Sequence, residues 1–334
     1  MSLSVPPHKD RVRAIDQRKI TMSPRKIIID TDPGQDDAVA MLLAFGSPAE
    51  LEVLGVTTVA GNVPLRLTER NARIVCELAG KTDIPVFAGH DAPLARPLVT
   101  AEHVHGKTGL DGPEMILPTM PLQDKHAVDF IIETVAAEPA DTVTICTLGP
   151  QTNLAAAFQR APDVMARVQE IIMMGGAYFE QGNITPSAEF NIYVDPEAAA
   201  VVQGAGRPVT ILPLDATHQA LCTAQNMRNI RAIDSHISET VIAWLMFFER
   251  FDRQKYNSDG APLHDPLVIG YLLAPELFKG RRINVEVETT ADLTLGATVA
   301  DWWGVTDRPK NATFIRDVDA AGFFELLAER LARL

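Results

Sequence analysis

Apolar residues follow two alternating patterns along the chain. Short runs rich in valine and isoleucine, apolar at almost every position, alternate with longer stretches in which apolar residues recur every three to four positions. The first pattern is typical of strands buried on both faces of a parallel sheet, and the second of helices. It predicts an α/β fold, with a mainly parallel central sheet flanked by helices in one Rossmann-like domain. The predicted strands are Lys26–Ile29, Leu51–Val59, Pro85–Ala88, Thr142–Thr147, Glu170–Met174 and Pro208–Leu212.

The predicted helices alternate with these strands and continue beyond them. Leu221–Phe251 predicts extra helices in the C-terminal part, and Ile283–Glu288 with Thr298–Trp302 predicts a short strand pair. Residues 1–24 lack an apolar period and are predicted to form a flexible arm before a domain at 25–334. The other predicted helices are Asp36–Phe45, Leu65–Leu78, Ala127–Ala137, Asn153–Gln159, Asp195–Val202 and Ala320–Leu331.

Composition narrows the class of partner. The formal net charge of −13 and the pI of about 5.1 argue against non-specific binding to nucleic acid or to an anionic membrane. No run of eighteen apolar residues predicts a membrane span. The three cysteines, Cys76, Cys146 and Cys222, are far apart, which predicts buried thiols in a reducing compartment, the cytoplasm. A small ligand or a cation is the expected partner.

Four aspartates crowd one predicted strand end, in the stretch DTDPGQDDA. Asp30 and Asp32 follow the apolar run, and Asp36 and Asp37 fall in the first turn of the next helix. The helix dipole stabilises one or two such anions, but four unpaired carboxylates a few ångströms apart repel each other. Either they share protons or a cation neutralises them. An all-oxygen donor set favours Ca²⁺ before Mg²⁺ and disfavours zinc.

The same stretch permits a second interpretation. An apolar run followed by Asp-x-Asp also opens the phosphatases of the haloacid dehalogenase type. On that hypothesis Asp30 is the nucleophile that attacks a phosphate, with Mg²⁺ bound.

Other polar side chains fall on loops that follow predicted strands. In such sheets ligands bind outside the carboxyl ends of the strands. Amide and carboxylate groups there suit a ligand with many hydroxyls, although each residue alone is more often a turn or capping residue. The candidates are Asn62, Asn183, Glu189, Asn191, His264 and Asp265.

Taken together, these segments resemble the inosine–uridine-preferring nucleoside hydrolases. DTDPGQDDA is similar to that family's signature, and AGN, TLGPQTN, MGG, the GN…EFN…DPEAA block and HDP follow in the family's order. The resemblance runs from about Arg25 to the C-terminus. A phosphatase of the dehalogenase type would explain only the first segment.

The resemblance implies one Ca²⁺ per subunit, with Asp32, Asp37, Asp265 and the backbone carbonyl of Leu148 as ligands. It implies hydrolysis of the N-glycosidic bond of purine or pyrimidine ribonucleosides to ribose and free base, in nucleoside salvage. The attacking water would be bound to Ca²⁺, and Asp32 would take its proton as general base. Asp30 would orient the loop from behind the ligands.

The resemblance also implies roles around the substrate. Asp36 would reach the ribose 2′-hydroxyl, and His264 would protonate the leaving base, or alternatively only orient Asp265. His105, in a stretch similar to the family's mobile HGxxGL loop, would close over the nucleoside, or alternatively lie at the surface. Asn62, Asn183, Glu189 and Asn191 would complete the sugar shell.

Aromatic residues are candidates for contacting the base. Phe251 and Tyr256 could stack on it or donate to it, and Phe190 would wall the pocket or pack in the core. A helical spacing predicts core positions for Trp244, Phe247 and Phe248.

A non-catalytic nucleoside or ribose sensor that kept the pocket is a third hypothesis. For the hydrolase, the resemblance implies a homodimer or homotetramer.

Overall fold

The computed structural model describes residues 23–256 and 259–334, with residues 252–256 described by their backbone alone. The strands of this part of the chain are β1 (Arg25–Thr31), β2 (Leu51–Thr58), β3 (Val86–Ala88), β4 (Val143–Thr147), β5 (Glu170–Met174), β6 (Val209–Leu212), β7 (Phe278–Ile283), β8 (Val285–Val287), β9 (Thr298–Ala300) and β10 (Ala312–Val318). The helices are α1 (Gln35–Phe45), α2 (Leu65–Leu78), α3 (Glu102–His105), α4 (Ala127–Ala137), α5 (Thr152–Arg160), α6 (Pro162–Met165), α7 (Phe190–Val194), α8 (Pro196–Gln203), α9 (Leu214–Thr217), α10 (Ala224–Arg231), α11 (His236–Tyr256), α12 (Pro266–Leu273) and α13 (Ala320–Leu331).

Eight strands form one sheet in the order β3-β2-β1-β4-β5-β6-β10-β7. All neighbouring pairs are parallel except β10 and β7, which are antiparallel. Strands β8 and β9 form a separate antiparallel pair. The predicted α/β fold with a mainly parallel sheet is therefore confirmed, as are the C-terminal helices and the short strand pair.

Burial explains the apolar strands. Ile28 lies in a core on one face of the sheet, and its neighbours Ile27 and Ile29 lie in a second core on the other face. Because helices cover both faces, a central strand meets apolar neighbours on each side and is apolar at every position. The three cysteines are buried thiols, as predicted.

Two strands were missed by the sequence pattern. The predicted run from Ile283 to Glu288 divides between β7, which joins the main sheet, and β8, which pairs with β9. Strand β7, with the sequence FKGRRI, has exposed residues at its four central positions because it is the sheet's edge. Its pattern therefore resembles a loop, and β10, its partner, was not recognised either.

The strand order creates the site for a ligand. From β1 the chain adds β2 and β3 on one side and then returns to add β4 on the other. The connections from the carboxyl ends of β1 and β4 therefore run in opposite directions along the sheet. In open α/β sheets, ligands bind outside the carboxyl ends of the strands at such a topological switch point. No helix in the described part of the chain combines the length and apolar character needed to cross a bilayer. Residues 1–22, most of the predicted arm, lie outside the described residues.

Candidate active site

Five buried carboxyl groups lie at the switch point, and we call Asp30, Asp32, Asp36, Asp37 and Asp265 the acidic floor. Asp30 lies in β1, Asp32 directly follows it, Asp36 and Asp37 lie in the first turn of α1, and Asp265 immediately precedes α12. Helices α1 and α12 pack against each other, which brings Asp265 to the aspartates after β1.

Asp37 is held by four donors. Its Oδ1 accepts from the Thr31 hydroxyl at 2.5 Å and from the Asp32 amide at 3.3 Å. Its Oδ2 accepts from the Gly34 amide at 2.9 Å and from the Asn62 side-chain amide at 3.1 Å. The DTDPG turn therefore folds around this carboxylate, and Asp37 is more than a residue of favourable charge at a helix start.

Asp32 occupies a slot between two glycines. Its Oδ2 accepts from the Asn62 amide at 2.7 Å. A Cβ added at Gly61 or at Gly149 would come within 2.1 Å of the Asp32 carboxylate. These contacts explain the glycines of AGN and TLGP, because a larger residue at either position would displace the carboxylate.

Asp30 is held by side chains from β2 and α5. Its Oδ1 accepts from the Thr57 hydroxyl at 2.6 Å and from the Asn153 side-chain amide at 2.8 Å. Asn153 also donates to the Thr58 carbonyl, so it connects β1, β2 and α5. Asp30 does not line the cavity above the floor.

The floor could hold a metal ion. Carboxylate oxygens of Asp36, Asp37 and Asp265 lie within 4.8 Å of one another. The ligand set implied by the resemblance shares Asp37 and Asp265 with this group but has Asp32 in place of Asp36. Leu148 lines the cavity, and its carbonyl, the fourth implied ligand, accepts from the Asn191 side-chain amide at 2.6 Å.

Electrostatics favour a cation at the floor. Burial, together with the neighbouring Asp37, raises the pKa of Asp36 to about 7. The same two causes raise the pKa of Asp32 well above its ordinary value, and burial with Asp36 does so for Asp265. Buried oxygens of Asp32 and Asp36 (Oδ1 in each) have no hydrogen-bond partner among the described residues. No lysine or arginine is among the described residues lining the cavity, and carboxylate and carbonyl oxygens are the donors that Ca²⁺ prefers.

The cavity above the floor contains the predicted sugar-binding residues. Asn62, Asn183, Glu189, Phe190 and Asn191 all line it. Phe190 also packs against Ala101 and Val194, so both predicted roles apply to it.

Glu189 has its position set by backbone amides. Its carboxylate accepts from the amides of Gly176, Asn191 and Ile192 at 2.9–3.2 Å and caps α7. Burial nevertheless raises its pKa to about 7. A carboxyl group with a pKa of about 7 is partly protonated at neutral pH. It can therefore donate a hydrogen bond to a ligand hydroxyl or accept one from it.

Four histidines line the cavity, and we call three of them, His105, His218 and His264, the histidine wall. The Nδ1 of His264 lies 2.8 Å from the Thr217 hydroxyl oxygen, and the Nδ1 of His218 lies 3.5 Å from Glu180 Oε2. Burial lowers the pKa of His264 well below its ordinary value, with His218 and His105 adding to the effect. Asp265 makes no side-chain cap hydrogen bond to α12, so a capping role does not explain the His-Asp pair.

His105 is buried against Gln35. The Gln35 side-chain amide donates to the backbone carbonyls of His105 at 2.9 Å and Asp111 at 3.0 Å. Its Oε1 lies 2.8 Å from His105 Nδ1. Burial lowers the pKa of His105 to about 3. The alternative of a surface histidine is therefore wrong.

The aromatic predictions need one correction. Trp244 is fully buried in the core, as predicted, whereas Phe248 is buried but lines the cavity, with its ring 5.4 Å from that of His105. Phe247 is only half-buried and lies under the Arg250 guanidinium. A helical apolar spacing does not distinguish a core position from a cavity wall, which explains the error. Phe251 lines the cavity, and the Tyr256 side chain lies outside the described residues.

Sequence reasoning missed several residues of this site. His103, Met174 and His218 line the cavity, and Thr217 and Gln35 hold two of its histidines. For His218 and Thr217 one signal was available, since DATH directly follows a predicted strand that ends at Leu212.

Comparison with known proteins decides the family. The family model described as inosine-uridine preferring nucleoside hydrolase matches residues 27–325. The chain belongs to this family. It is an N-glycosyl hydrolase.

The relatives of this nucleoside hydrolase cover it almost completely. An uncharacterized protein of Schizosaccharomyces pombe is 51% identical over 92% of this chain and 99% of its own length. The pyrimidine-specific ribonucleoside hydrolase RihA of Photobacterium profundum is 45% identical over 92% of this chain and 99% of its own. A solved plant nucleoside hydrolase superposes with a TM-score of 0.87 at 34% identity, covering 92% of this chain and 99% of that one.

The phosphatase hypothesis receives no support. It requires Asp30 to attack a ligand, but Asp30 is buried, does not line the cavity and accepts hydrogen bonds from Thr57 and Asn153. The family match, which extends over the whole domain, points to glycosidic bonds.

Proposed function

We propose that this hydrolase cleaves the N-glycosidic bond of ribonucleosides with water, using a Ca²⁺ ion held at the acidic floor. The proposal rests on the group formed by Asp36, Asp37 and Asp265, buried below a cavity whose described lining has no lysine or arginine. Asp37 and Asp265 are ligands in this proposal, with Asp32 and the Leu148 carbonyl completing the protein's share. Asp36 lines the cavity and reaches the ribose 2′-hydroxyl, whereas Asp32 and Asp37 lie deeper.

The ion, when bound, supplies a water of lowered pKa and a fixed charge beside the ribose. Asp32 accepts the proton of the attacking water as general base, and its partnerless Oδ1 is the atom available for it. Asp30 orients the floor through Thr57 and Asn153.

The sugar shell stabilises the transition state. Glycosidic cleavage develops positive charge on the ribose, in an oxocarbenium-like state. Buried carboxyl groups and amide oxygens directed at that charge stabilise it more than they stabilise the neutral substrate. Asn62, Asn183, Glu189 and Asn191 supply these groups, and Phe190 excludes water from one side.

The leaving base needs a proton. His264 lines the cavity and is the general acid in this proposal, while His105 closes the cavity over the nucleoside. Phe248 and Phe251 present ring faces and edges to the base. The side chain of Tyr256 remains a predicted contact of the base.

Uridine is the first substrate to test, because the 45% identical RihA is named as pyrimidine-specific. Inosine tests the purine side of the family description. Dimer or tetramer formation and a cytoplasmic location remain predictions.

The decisive experiment measures ribose released from uridine and inosine by its reducing end. The protein is assayed as purified, after removal of metal with a calcium chelator, and after Ca²⁺ or Mg²⁺ is added back. We expect release that disappears on chelation and returns with Ca²⁺ more than with Mg²⁺. Turnover unaffected by chelation would contradict the metal proposal.

A parallel assay separates the other two hypotheses. Release of phosphate from an aryl phosphate would favour the phosphatase, and tight binding of uridine without turnover would favour the sensor. The calcium-dependent hydrolase predicts neither result.

A further inference from the structure

Helix α9 ends at Thr217, and His218, a member of the histidine wall, directly follows it. Thr217 lies against His264, and His218 itself lines the cavity beside Glu180. Thr217 is fully buried and does not line the cavity. Any effect of Thr217 on a ligand is therefore exerted through His264.

The hydrogen bond between Thr217 and His264 constrains where the proton of the ring is. A neutral imidazole carries its proton on one nitrogen, and the other nitrogen is an acceptor. Among the described residues, His264 Nδ1 is the single acceptor within hydrogen-bond distance of the Thr217 hydroxyl. If Nδ1 carried the proton, the buried hydroxyl hydrogen would have no acceptor, and an unsatisfied buried donor destabilises the arrangement.

The favoured arrangement has the hydroxyl donating to Nδ1. The proton of neutral His264 is then on Nε2, the ring nitrogen that Thr217 leaves free for the cavity. A neutral ring in this tautomer donates a hydrogen bond from Nε2 to a base nitrogen or oxygen, and so stabilises the negative charge that the base acquires as the glycosidic bond breaks.

We propose that Thr217 is a positioning residue that holds His264 as its Nε2–H tautomer and so directs a hydrogen-bond donor at the leaving base. This inference rests on the proposed function, in which His264 is the general acid.

His105 provides an internal contrast. Both hydrogens of the Gln35 side-chain amide are used by carbonyl groups, so Gln35 Oε1 faces His105 Nδ1 and must accept from it. His105 is therefore held as the Nδ1–H tautomer, with Nε2 as an acceptor. Two histidines of one cavity are thus fixed in opposite tautomers by different partners.

Kinetics with two leaving groups test the proposal. Thr217→Val keeps the shape of the side chain and removes the hydroxyl, whereas Thr217→Ser keeps the hydroxyl. For uridine, we expect Thr217→Val to lower kcat about 10- to 100-fold, a part of the 10²–10⁴ that a general acid typically contributes. For 4-nitrophenyl riboside, whose leaving group needs no proton, we expect little change.

Matched variants complete the kinetic test. Thr217→Ser should restore most of the uridine rate. Thr240→Val removes another buried threonine hydroxyl, which donates to the His236 carbonyl at 2.8 Å within α11, and should leave both substrates unaffected. If Thr217→Val slowed both substrates equally, or Thr217→Ser failed to restore the rate, a merely structural role would replace the proposal.

A spectroscopic measurement tests the tautomer without relying on activity. The calcium-loaded protein, with ¹⁵N-labelled histidine, is studied by NMR, and the His264 signals are assigned by their absence in His264→Gln. We expect Nε2 to be protonated and Nδ1 to be an acceptor in the wild type, and a mixture of tautomers in Thr217→Val. A proton on Nδ1 in the wild type would overturn the inference even if uridine is hydrolysed.

The kinetic and NMR data test the proposed function and the role of Thr217 separately. A wild type that shows the Nε2–H tautomer but releases no ribose from any nucleoside would contradict the proposed function. The hydrogen-bonding role of Thr217 would then stand, and its role toward a leaving base would be wrong.

Discussion

The acidic floor and the histidine wall face the same cavity and respond in opposite ways to the same cause. Burial raises the pKa of Asp32, Asp36 and Asp265, and it lowers the pKa of His105 and His264. Both regions are therefore driven toward their neutral forms. At the floor several carboxyl groups converge, so a bound cation favours their ionised forms. At the wall His105 and His264 each have a hydrogen-bond partner of their own.

The difference separates two chemical tasks. The floor supplies negative charge where the ribose becomes positive, and the wall supplies uncharged donors and acceptors whose hydrogen positions are fixed by neighbours. Variants of the floor should therefore affect metal binding and all substrates, whereas variants of the wall should affect substrates according to their leaving group.

The largest effect is expected at the floor. Asp37→Asn keeps the size of the side chain but removes a charge and places an NH₂ group among donors such as the Gly34 amide. We expect kcat for uridine and for 4-nitrophenyl riboside to fall by more than about 100-fold, the upper range for residues that only support metal ligands.

Metal binding provides the second readout for Asp37→Asn. Ca²⁺ at 100 times its dissociation constant should stabilise the wild type by about 2.7 kcal/mol, measured as a rise in the unfolding midpoint, and should not stabilise the variant. Asp163→Asn, at an exposed site in α6, is the control. A variant that retains the calcium-induced shift would remove Asp37 from the ligand set.

The next effect is expected at the wall. His264→Gln should lower kcat for uridine by about 10²–10⁴ because the general acid is lost. It should leave 4-nitrophenyl riboside nearly unaffected and should keep the full calcium-induced stabilisation. Equal losses of kcat on both substrates would refute the acid role of His264. Loss of the calcium-induced stabilisation would show that His264 also supports metal binding, so that the floor and the wall would not have separate tasks.

A smaller effect is expected where Gln35 connects the two regions. Gln35→Met leaves the carbonyls of His105 and Asp111 without their donor, which costs about 1–2 kcal/mol, and it frees the tautomer of His105. We expect the KM for uridine to rise about 10-fold, the equivalent of that energy, with a smaller change in kcat. Gln203→Met is the matched control, because both polar atoms of that buried amide lack a partner among the described residues. An unchanged KM would show that Gln35 does not hold His105 in place for the substrate.

The smallest effect concerns stability and pH. Glu189 has a folded-state pKa of about 7 against an ordinary value of 4.5, so the folded state retains a proton that the unfolded state releases. The contribution of this group to stability is therefore present at low pH and is lost as the pH rises from about 4.5 through 7.

Glu189→Gln removes this titration and disturbs the hydrogen bonds from three backbone amides. We expect the variant to be about 1–2 kcal/mol less stable than the wild type at pH 5, with a smaller difference at pH 8, by urea denaturation of metal-free protein. The floor groups titrate in both proteins, so the difference isolates Glu189. A difference that grows with pH would show that the carboxylate, and not the acid, is the favoured form in the fold.

Much of the floor was predictable because it is local. Four of its five aspartates lie within eight positions, directly after an apolar strand and inside the first turn of a helix. Alternating apolar runs likewise predicted the parallel sheet, since buried strands and amphipathic helices have different periods. Asp265, Asn62 and Glu189 were candidates because they lie on loops that follow predicted strands, but only the resemblance joined them to the first loop, since no local pattern connects them to it.

The wall depended on contacts between distant segments. Thr217 and His218 come from the segment after β6, whereas His264 comes from the segment before α12, and Gln35 reaches His105 across a gap of seventy positions. Phe248 has the same helical spacing as the core residue Trp244, yet it faces the cavity.

The sequence by itself determined the fold class, the crowding of acids after β1 and the family. The tertiary structure decided which carboxyl groups converge, which histidines line the cavity and which nitrogen of each ring carries the proton, because hydrogen-bond partners across loops depend on strand order and packing rather than on local period.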